Sequence, residues 1–317
     1  MKPDAGRTWH YRDFYRPLGT PPAEDRPLWL VVGNCQAEAL RGVLDAVPDR
    51  PYRTARMPPV HELTAADLPH LRSLLAETAV LVSQPIRQNY RDLPIGTDDL
   101  AARLPAAATV TRWPVIRYAG LYPFQVIVRH PADRSVTPPV VPYHDLRTIA
   151  AARDGLDPAS PWDVEVSADR FRAVAEFSRA ELARRESRDT DVGVSDVLAA
   201  HGADAAHTIN HPGNPVFEDL ANRILALHDV SARAQPLPRA LLSSMYAPLE
   251  RRVLTALGLT AEPRTHWRAE QEDLPPQEVH SAQLRWYADN PDYIDLATQR
   301  HGQVMELLGL HSAGVAR

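Results

Sequence analysis

The sequence predicts an α/β protein built on a parallel, doubly wound sheet, and three observations support this fold class. Four short segments between residues 27 and 113 have the length and composition of strands. Segments with apolar residues at helical spacing separate them. No internal repeat or low-complexity segment interrupts the pattern. Strands that alternate with helices form right-handed βαβ units, so these strands are expected to run parallel in one sheet.

The predicted elements of the first half follow one another in a regular order. The first strand is PLWLVVG, which ends in Gly33, and the helical segment AEALRGVLDAV follows it. The other strands are YRTARM, AVLVSQ and ATVTRW, with the helices AADLPHLRSLLAET and TDDLAARL between them. Residues 1–27 are polar and contain several prolines, and we expect them to form an N-terminal arm laid over the domain.

The second half is predicted to be helical from residue 143 onward and to have no sheet of its own. The helical segments include HDLRTIAAARDG, ADRFRAVAEFSRAELARRES and VSDVLAAHG. A short extended piece and a proline-glycine turn in AAHTINHPGNP lead into a further helix. We therefore expect a single α/β domain over residues 28–317, with a helical C-terminal part that covers about 235–317.

Composition excludes several classes of function. The chain has 317 residues with a net charge of −5, and its basic residues form no block that would follow a nucleic-acid backbone. Lys2 is the only lysine, so there is no interior Schiff-base lysine and no GK[ST] phosphate loop. Bound anions would have to be held by arginines, backbone amides or helix N-termini.

The apolar pattern also bears on location. No apolar run approaches the roughly 20 residues that span a bilayer, and the N-terminal segment lacks the apolar core of a signal peptide. We expect a cytoplasmic protein without membrane insertion.

Cys35 is the only cysteine, which excludes an internal disulfide and a zinc site built on cysteines, and no metal is expected. It lies just beyond the first strand and before a helix, where open parallel sheets collect their ligands. A helix N-terminus lowers a thiol's pKa and can hold an oxyanion, so we expect an accessible, acidic nucleophile. Asn34 and Gln36 offer amides beside it. The alternative is a small buried residue at the end of a strand.

A thiol nucleophile needs a base, and the segment HTINHPGNP offers two histidines. His207 and His211 bracket a short polar piece whose backbone is fixed by the prolines and glycine around it. The alternative is a simple His-Pro turn with Asn214 as a helix cap. The remaining histidines in polar surroundings are assigned to the surface: His10, His61, His70, His266, His280, His301 and His311.

Several motifs in order resemble those of the WcbI family, capsular polysaccharide biosynthesis enzymes proposed as acetyltransferases. They are GNCQAEAL, SQPIRQNYRDLPIGT, GLYP, DVGVSDVLAAHG and HTINHPGNP, and the resemblance covers roughly residues 28–310. It implies an SGNH-hydrolase-like (flavodoxin-like) fold, an association with coenzyme A and acyl transfer in the cytoplasm. In this pattern Cys35 takes the position that serine normally holds.

The same resemblance bears on the choice of base. The histidine-proline pair of the last SGNH block falls on His211 and Pro212, but Thr208 stands where the hydrolases carry an aspartate. Asp204 instead lies three residues before His207, which leaves both histidines as candidates. We favour His211 because of the proline that follows it. A thiol needs less help from an acid than serine does, so the missing aspartate disfavours a hydrolase more than a transferase.

Further candidate residues bind or orient the substrates. Oxyanion or substrate binding is assigned to amide side chains, with Gln84 or Asn89 acting beside the Cys35 backbone N–H. Coenzyme A phosphates require bidentate arginines. The full set of candidates is Asn34, Gln36, Gln84, Asn89 and Asn210 for oxyanion or substrate, and Arg87, Tyr90 and Arg117 for the cofactor.

The predicted function is therefore transfer of an acetyl or other acyl group from acyl-coenzyme A to a hydroxyl of a sugar or other small acceptor. An acyl group on Cys35 would be a thioester, close in energy to acyl-coenzyme A, and so would stay reactive. One alternative is a thiol-dependent esterase of the same fold. Another is a non-catalytic protein that binds coenzyme A or a glycan.

Overall fold

The structure, a computed structural model, describes residues 5–21, 24–270 and 272–310. The chain divides into two compact units. Unit 1 comprises the described residues of Met1–Ile116, Leu182–Ala205 and Pro212–Leu242. Unit 2 comprises those of Arg117–Glu181, Ala206–His211 and Ser243–Arg317.

The strands are short. In chain order they are β1 Leu28–Val32, β2 Arg53–Thr54, β3 Thr78–Ser83, β4 Thr109–Arg112, β5 Gln125–Val126, β6 His144–Asp145, β7 Ala206–Thr208, β8 His211–Pro212, β9 Met245–Tyr246, β10 Trp267–Ala269 and β11 Glu272–Leu274.

The α-helices vary more in length. They are α1 Ala5–His10, α2 Cys35–Asp45, α3 Leu68–Glu77, α4 Thr97–Ala101, α5 Leu146–Arg153, α6 Ala168–Asp189, α7 Asn214–Leu227, α8 Arg251–Leu257, α9 Pro276–Asp289 and α10 Asp292–Leu308.

The sheet of unit 1 has the strand order β2-β1-β3-β4, and every neighbouring pair is parallel. Chain order therefore reverses at β1, whose neighbours are β2 and β3, so this is the switch point of a doubly wound sheet. Val32 of β1 pairs with Ser83 of β3, which brings the carboxyl ends of these two strands side by side. The predicted α/β class with a parallel sheet and flanking helices is confirmed.

Both faces of the central strand β1 are covered, and all five of its residues are buried. Leu28 and Leu30 belong to the cluster that also holds Leu71 and Leu74 of α3. On the opposite face Trp29 stacks on Tyr52, with ring centroids 4.0 Å apart. A near-continuous apolar strand is what burial on both faces requires, and it explains why LWLVV does not alternate.

Residues of the predicted arm take part in this core. Phe14 is 1% exposed and belongs to the same cluster as Leu28. The Tyr15 hydroxyl donates a hydrogen bond to Asp67 at 2.9 Å. The division into an arm and a single domain stays a prediction.

Unit 2 contains a sheet that the sequence analysis did not anticipate. Strands β11, β10 and β9 form a small antiparallel sheet in that order, so the expectation of a second half without a sheet is wrong. The strands have two or three residues each, too few to show a period in the sequence. Helix α5 packs against α9 and α10 and supplies Leu146 and Ile149 to the core of this unit.

The predicted helix VSDVLAAHG is also wrong. Residues 195–201 form turns and lead into a 3₁₀ turn, Gly202–Ala205. The reason is the buried carboxylate of Glu186, which accepts hydrogen bonds from the backbone N–H groups of Val194 and Ser195. A Cβ on Gly193 would lie 2.6 Å from this carboxylate, so the loop can wrap around it only with glycine there.

Candidate active site

Cys35 lies where a central strand gives way to a helix, as the sequence predicted. Strand β1 ends at Val32, and α2 begins at Cys35 itself, two residues earlier than the apolar spacing indicated. Asn34 is the N-cap: its side-chain oxygen accepts a hydrogen bond from the Gln36 backbone N–H at 2.9 Å. This places the thiol, which is half-buried, in the first turn of the helix at the switch point of the sheet.

The thiol is not acidic. Burial raises the pKa of Cys35 above its usual value, and hydrogen bonds from the backbone N–H groups of Cys35 and Gln36 oppose this only in part. The expectation of an acidic nucleophile is therefore wrong, because desolvation of the thiolate outweighs the helix N-terminus. A reaction at this sulfur needs a base to remove the proton.

Two buried glutamines tie this turn together. Gln84 accepts a hydrogen bond from the Asn34 backbone N–H at 2.9 Å and donates one to the Gln36 side-chain oxygen at 3.1 Å. The Gln36 amide donates to the carbonyl of Ile116 at 2.7 Å and accepts from its N–H at 3.0 Å. A Cβ on Gly33 would lie 2.5 Å from the Gln84 amide oxygen, so this close approach requires glycine.

These contacts make Gln36 and Gln84 structural ties between neighbouring segments. They confirm that the ends of β1 and β3 lie side by side, as expected for Gln84 and Cys35. Their role as oxyanion donors stays a prediction. The amide groups of both residues already form hydrogen bonds within this network. By contrast, Asn34 Nδ2 has no hydrogen-bond partner within the described residues.

The loop after β3 presents the next group of candidates. Arg87 and Asn89 are exposed, and Asn89 adopts a left-handed conformation with a φ of 49°. Tyr90 is half-buried and packs against the apolar cluster of unit 1. Thr97 holds the loop, since its hydroxyl accepts from the N–H of Ile86 at 2.9 Å and donates to the carbonyl of Gln84 at 2.7 Å.

His211 has the character of a neutral base. Burial lowers its pKa, and a backbone hydrogen bond with Met245 opposes this. Its Nδ1 atom is buried and has no partner among the residues that the structure describes. An imidazole that is neutral near pH 7 can accept a proton, which is what a thiol of raised pKa requires.

The other residues of HTINH are held by their neighbours in unit 2. The His207 ring packs against Tyr246 with centroids 4.6 Å apart. The side-chain oxygen of Asn210 accepts hydrogen bonds from the hydroxyls of Tyr143 at 2.8 Å and Thr208 at 3.2 Å. Thr208 therefore fixes Asn210 rather than standing in for the missing aspartate.

Arg117 belongs to a group of cations in unit 2 that sequence reasoning missed. Desolvation and the positive charges of Arg129 and Arg134 lower the pKa of Arg117. Arg129 carries a buried Nη1 without a partner among the described residues. Arg300 donates a hydrogen bond to the Arg129 carbonyl at 2.8 Å. These arginines are separated along the chain, so no local motif signals the group.

No helix among the described residues is long and apolar enough to cross a membrane. In the same part of the chain, no group of three or more His, Cys, Asp or Glu side chains is arranged to hold a metal ion.

A parallel doubly wound sheet flanked by helices, with a cysteine at its switch point, places the chain among the α/β proteins. The sequence profile of the polysaccharide biosynthesis enzyme WcbI matches residues 28–233. The chain therefore belongs to the WcbI family of polysaccharide biosynthesis enzymes, and the resemblance seen in its motifs is confirmed. A comparison with curated proteins gives no match.

One solved structure is similar over most of the chain. It is described as native WcbI, a polysaccharide biosynthesis enzyme, without a disulfide bond between coenzyme A and one of its cysteines. The TM-score is 0.73 at 18% identity, with 90% of this chain and 99% of that chain covered. At this identity the likeness establishes the fold.

Proposed function

We propose that this protein is an acyltransferase that moves an acetyl or other acyl group from acyl-coenzyme A to a hydroxyl of a sugar or other small acceptor. The observation that carries the proposal is Cys35 at the start of α2, beyond the central strand of a WcbI-family sheet. The choice of donor is supported by the similar solved structure, which is described as WcbI without a disulfide bond between coenzyme A and one of its cysteines. Use of acyl-coenzyme A favours the cytoplasm as its location.

In the first half-reaction His211 removes the thiol proton, and the Cys35 sulfur attacks the acyl carbonyl carbon. The new carbon–sulfur bond to Cys35 forms as the bond to coenzyme A breaks, and the departing thiolate takes the proton from the imidazole. In the second, His211 takes the proton of the acceptor hydroxyl, whose oxygen attacks the thioester. The Cys35 thiolate leaves and is protonated again.

The raised pKa of Cys35 gives the base its importance in this scheme. A thiol that is fully protonated near pH 7 is a poor nucleophile until its proton is taken. We favour His211 as the base because burial lowers its pKa, so that the imidazole is neutral near pH 7, and because Pro212 follows it. Asn34 is the favoured oxyanion donor beside Cys35, because its Nδ2 is unused while the amides of Gln36 and Gln84 are bound. Asn89 and Asn210 remain candidates for substrate binding.

The decisive experiment is intact-protein mass spectrometry after incubation with acetyl-coenzyme A. One added acetyl group is expected on the wild type and on His207→Asn, a much slower addition on His211→Asn, and none on Cys35→Ala. Equal acetylation of Cys35→Ala would refute the thioester. An adduct that passes only to water, whatever hydroxyl acceptor is added, would identify the thiol-dependent esterase instead.

Coenzyme A binding is tested separately by calorimetric titration. The candidates for its phosphates are Arg117, which lies among other cations, and Arg87, which is exposed after β3; Tyr90 is the candidate beside the latter. Loss of a bidentate arginine should weaken binding by about 1.5–3 kcal/mol, roughly ten- to hundredfold. Arg72→Ala, an exposed arginine of α3, is the matched control. Binding without any acetyl adduct would favour the non-catalytic alternative.

A further inference from the structure

Unit 2 contains a cavity of about 900 Å³, a volume in the range of small-molecule sites. None of the residues predicted from the sequence to bind or react lines it. Its walls come from the segment around β5, from α5, from the loop before α6, and from α8, β10 and α9. Its lining residues include Gln125, Tyr143, Arg147, Trp162, Arg252 and His280.

The charges of the cavity wall are largely paired with one another. Arg147 contacts Asp145 and Asp163 at 2.7 Å and Glu250 at 3.0 Å. Arg252 contacts Asp163 at 2.6 Å and Glu250 at 2.7 Å. Within this network three carboxylates face two guanidinium groups, so both cations are paired; Arg251 and Arg264 also line the cavity.

The same wall combines aromatic surface with hydrogen-bonding groups. Trp162 stacks on His280 with centroids 4.5 Å apart, and Arg147 lies 4.5 Å from the Trp162 ring. Tyr143 stacks on Trp267 at 5.4 Å. Aromatic rings accept the apolar face of a ligand, while carboxylates and guanidinium groups accept from and donate to its hydroxyls.

Two buried side chains of the wall have a polar atom that lacks a hydrogen-bond partner within the described residues. They are Gln125, 7% exposed, through its Oε1, and His280, 1% exposed, through its Nε2. Thr148 already occupies His280 Nδ1 at 2.8 Å. Buried polar atoms normally have partners, so these two indicate an absent ligand. A hydroxyl group can satisfy either one, because it both donates and accepts.

The cavity wall contacts the segment that carries His211. Tyr143 lines the cavity, and its hydroxyl donates to Asn210, the residue before His211. Arg264 also lines it and lies 5.0 Å from the Tyr246 ring, which in turn contacts the His207 ring. A ligand held by the aromatic wall would therefore lie within unit 2 beside the elements that position these two imidazoles.

We propose that this cavity binds a sugar, as the hydroxylated acceptor of the acyl group. A pyranose ring matches both properties of the wall, an apolar ring face and a rim of hydroxyls. That the sugar is the acceptor rests on the proposed function; that the cavity binds a sugar does not.

Saturation-transfer NMR with glucose, mannose, galactose and N-acetylglucosamine, one at a time, tests the proposal on the full chain. At least one sugar should receive saturation, and Gln125→Leu and Trp162→Ala should each weaken its binding about tenfold or more. Trp162→Phe should retain part of the affinity. Trp9→Ala, an exposed tryptophan of unit 1, should bind as the wild type does. Thermal unfolding checks that each variant is folded.

The outcomes separate this proposal from the acyltransferase itself. Full sugar binding by Cys35→Ala, without displacement by coenzyme A, is expected and would stand even if no acetyl adduct ever formed. No saturation of any of the four sugars would overturn the proposal, as would unaltered binding in the folded Gln125→Leu and Trp162 variants. Displacement of the sugar by coenzyme A would overturn it too and assign the cavity to the cofactor.

Discussion

The edge of the sheet at Cys35 and the cavity of unit 2 are opposite kinds of site. At the turn that carries Cys35, the amides of Gln36 and Gln84 bind one another and the neighbouring backbone. The cavity of unit 2 is about 900 Å³ and keeps two buried polar atoms without partners in the described structure. The first region is built to hold one side chain in place, and the second to hold a ligand.

The two regions separate the rigidity that a reacting group needs from the affinity that a substrate needs. A nucleophile gains from a fixed backbone, because misplacement of the reacting atom is costly in rate. The ties from Gln36 and Gln84 provide that rigidity at Cys35 at the cost of a desolvated, less acidic thiol. Substrate affinity instead needs surface and unused hydrogen bonds, which the wall of unit 2 provides.

The largest effect is expected in the cavity wall, at Arg147. Replacing it by methionine leaves the largely buried Asp145 without a cation and leaves Asp163 and Glu250 with Arg252 alone, which should cost about 3 kcal/mol or more. Urea unfolding at neutral pH measures the loss. Arg251→Met, an exposed arginine of the same cavity, should change stability by about 0.5 kcal/mol or less. Equal effects of the two changes would show that the ion-pair network does not hold this wall together.

The free energy of unfolding should fall in acid because of His144, a buried histidine of unit 2. Burial, with the charges of Arg129 and His301, lowers the pKa of this histidine to about 4. Above pH 6.5, the ordinary pKa of a histidine, His144 is unprotonated in both the folded and the unfolded chain, so it does not make stability depend on pH there. As the pH falls from 6.5 to about 4, only the unfolded chain takes up the proton, and stability should drop by about 3 kcal/mol.

The measurement for His144 is urea unfolding at pH 7 and at successive pH values down to 4, for the wild type and His144→Gln. The variant should lose less stability than the wild type across this window. A matching pH dependence in both chains would mean that other groups cause the loss; His301, whose pKa is also lowered to about 4 by burial, is the first to examine.

At the sheet edge, Gln84→Ala should cost about 2–3 kcal/mol, because it leaves the Asn34 backbone N–H buried without an acceptor and opens a small cavity. Gln88→Ala, an exposed glutamine of the following loop, is the matched control and should be close to neutral. The rate of iodoacetamide labelling of Cys35 should also change in Gln84→Ala, because the turn that carries the thiol loses its hydrogen bond to the Gln84 side chain. A stable Gln84→Ala protein with unchanged labelling would contradict the rigid-edge interpretation.

Local patterns predicted much of this molecule, and tertiary contacts account for what they missed. The strand, turn and helix around Cys35 are continuous in sequence, so the position of the thiol was predictable. The pairing of Gln36 with Gln84 joins residues 48 positions apart, and no pattern near either one signals it. The acidic thiol was predicted wrongly because the helix N-terminus is visible in the sequence whereas the burial that outweighs it is not.

The histidines illustrate the same limit. His280 was assigned to the surface from its polar neighbours but is 1% exposed, because it lies on the inward face of α9 together with Val279, Gln283 and Leu284. Similarly, the carboxylates around Arg147 come from three separate segments of the chain. The cavity they line could therefore not be found before the fold was known.

The smallest effect on stability is expected at Asn34. Two substitutions there separate its role as the helix N-cap from its effect on the Cys35 thiol. Asn34→Ala removes the acceptor for the Gln36 backbone N–H and should cost about 1 kcal/mol, whereas Asn34→Asp keeps the cap and should be close to neutral. The aspartate adds a negative charge beside Cys35, which should raise the pKa of the thiol further and slow iodoacetamide labelling at a given pH. Wild-type labelling should have its midpoint above roughly pH 8.5, the ordinary value for a free thiol. Faster labelling in Asn34→Asp, or a wild-type midpoint below that value, would show that the helix N-terminus rather than burial governs this sulfur.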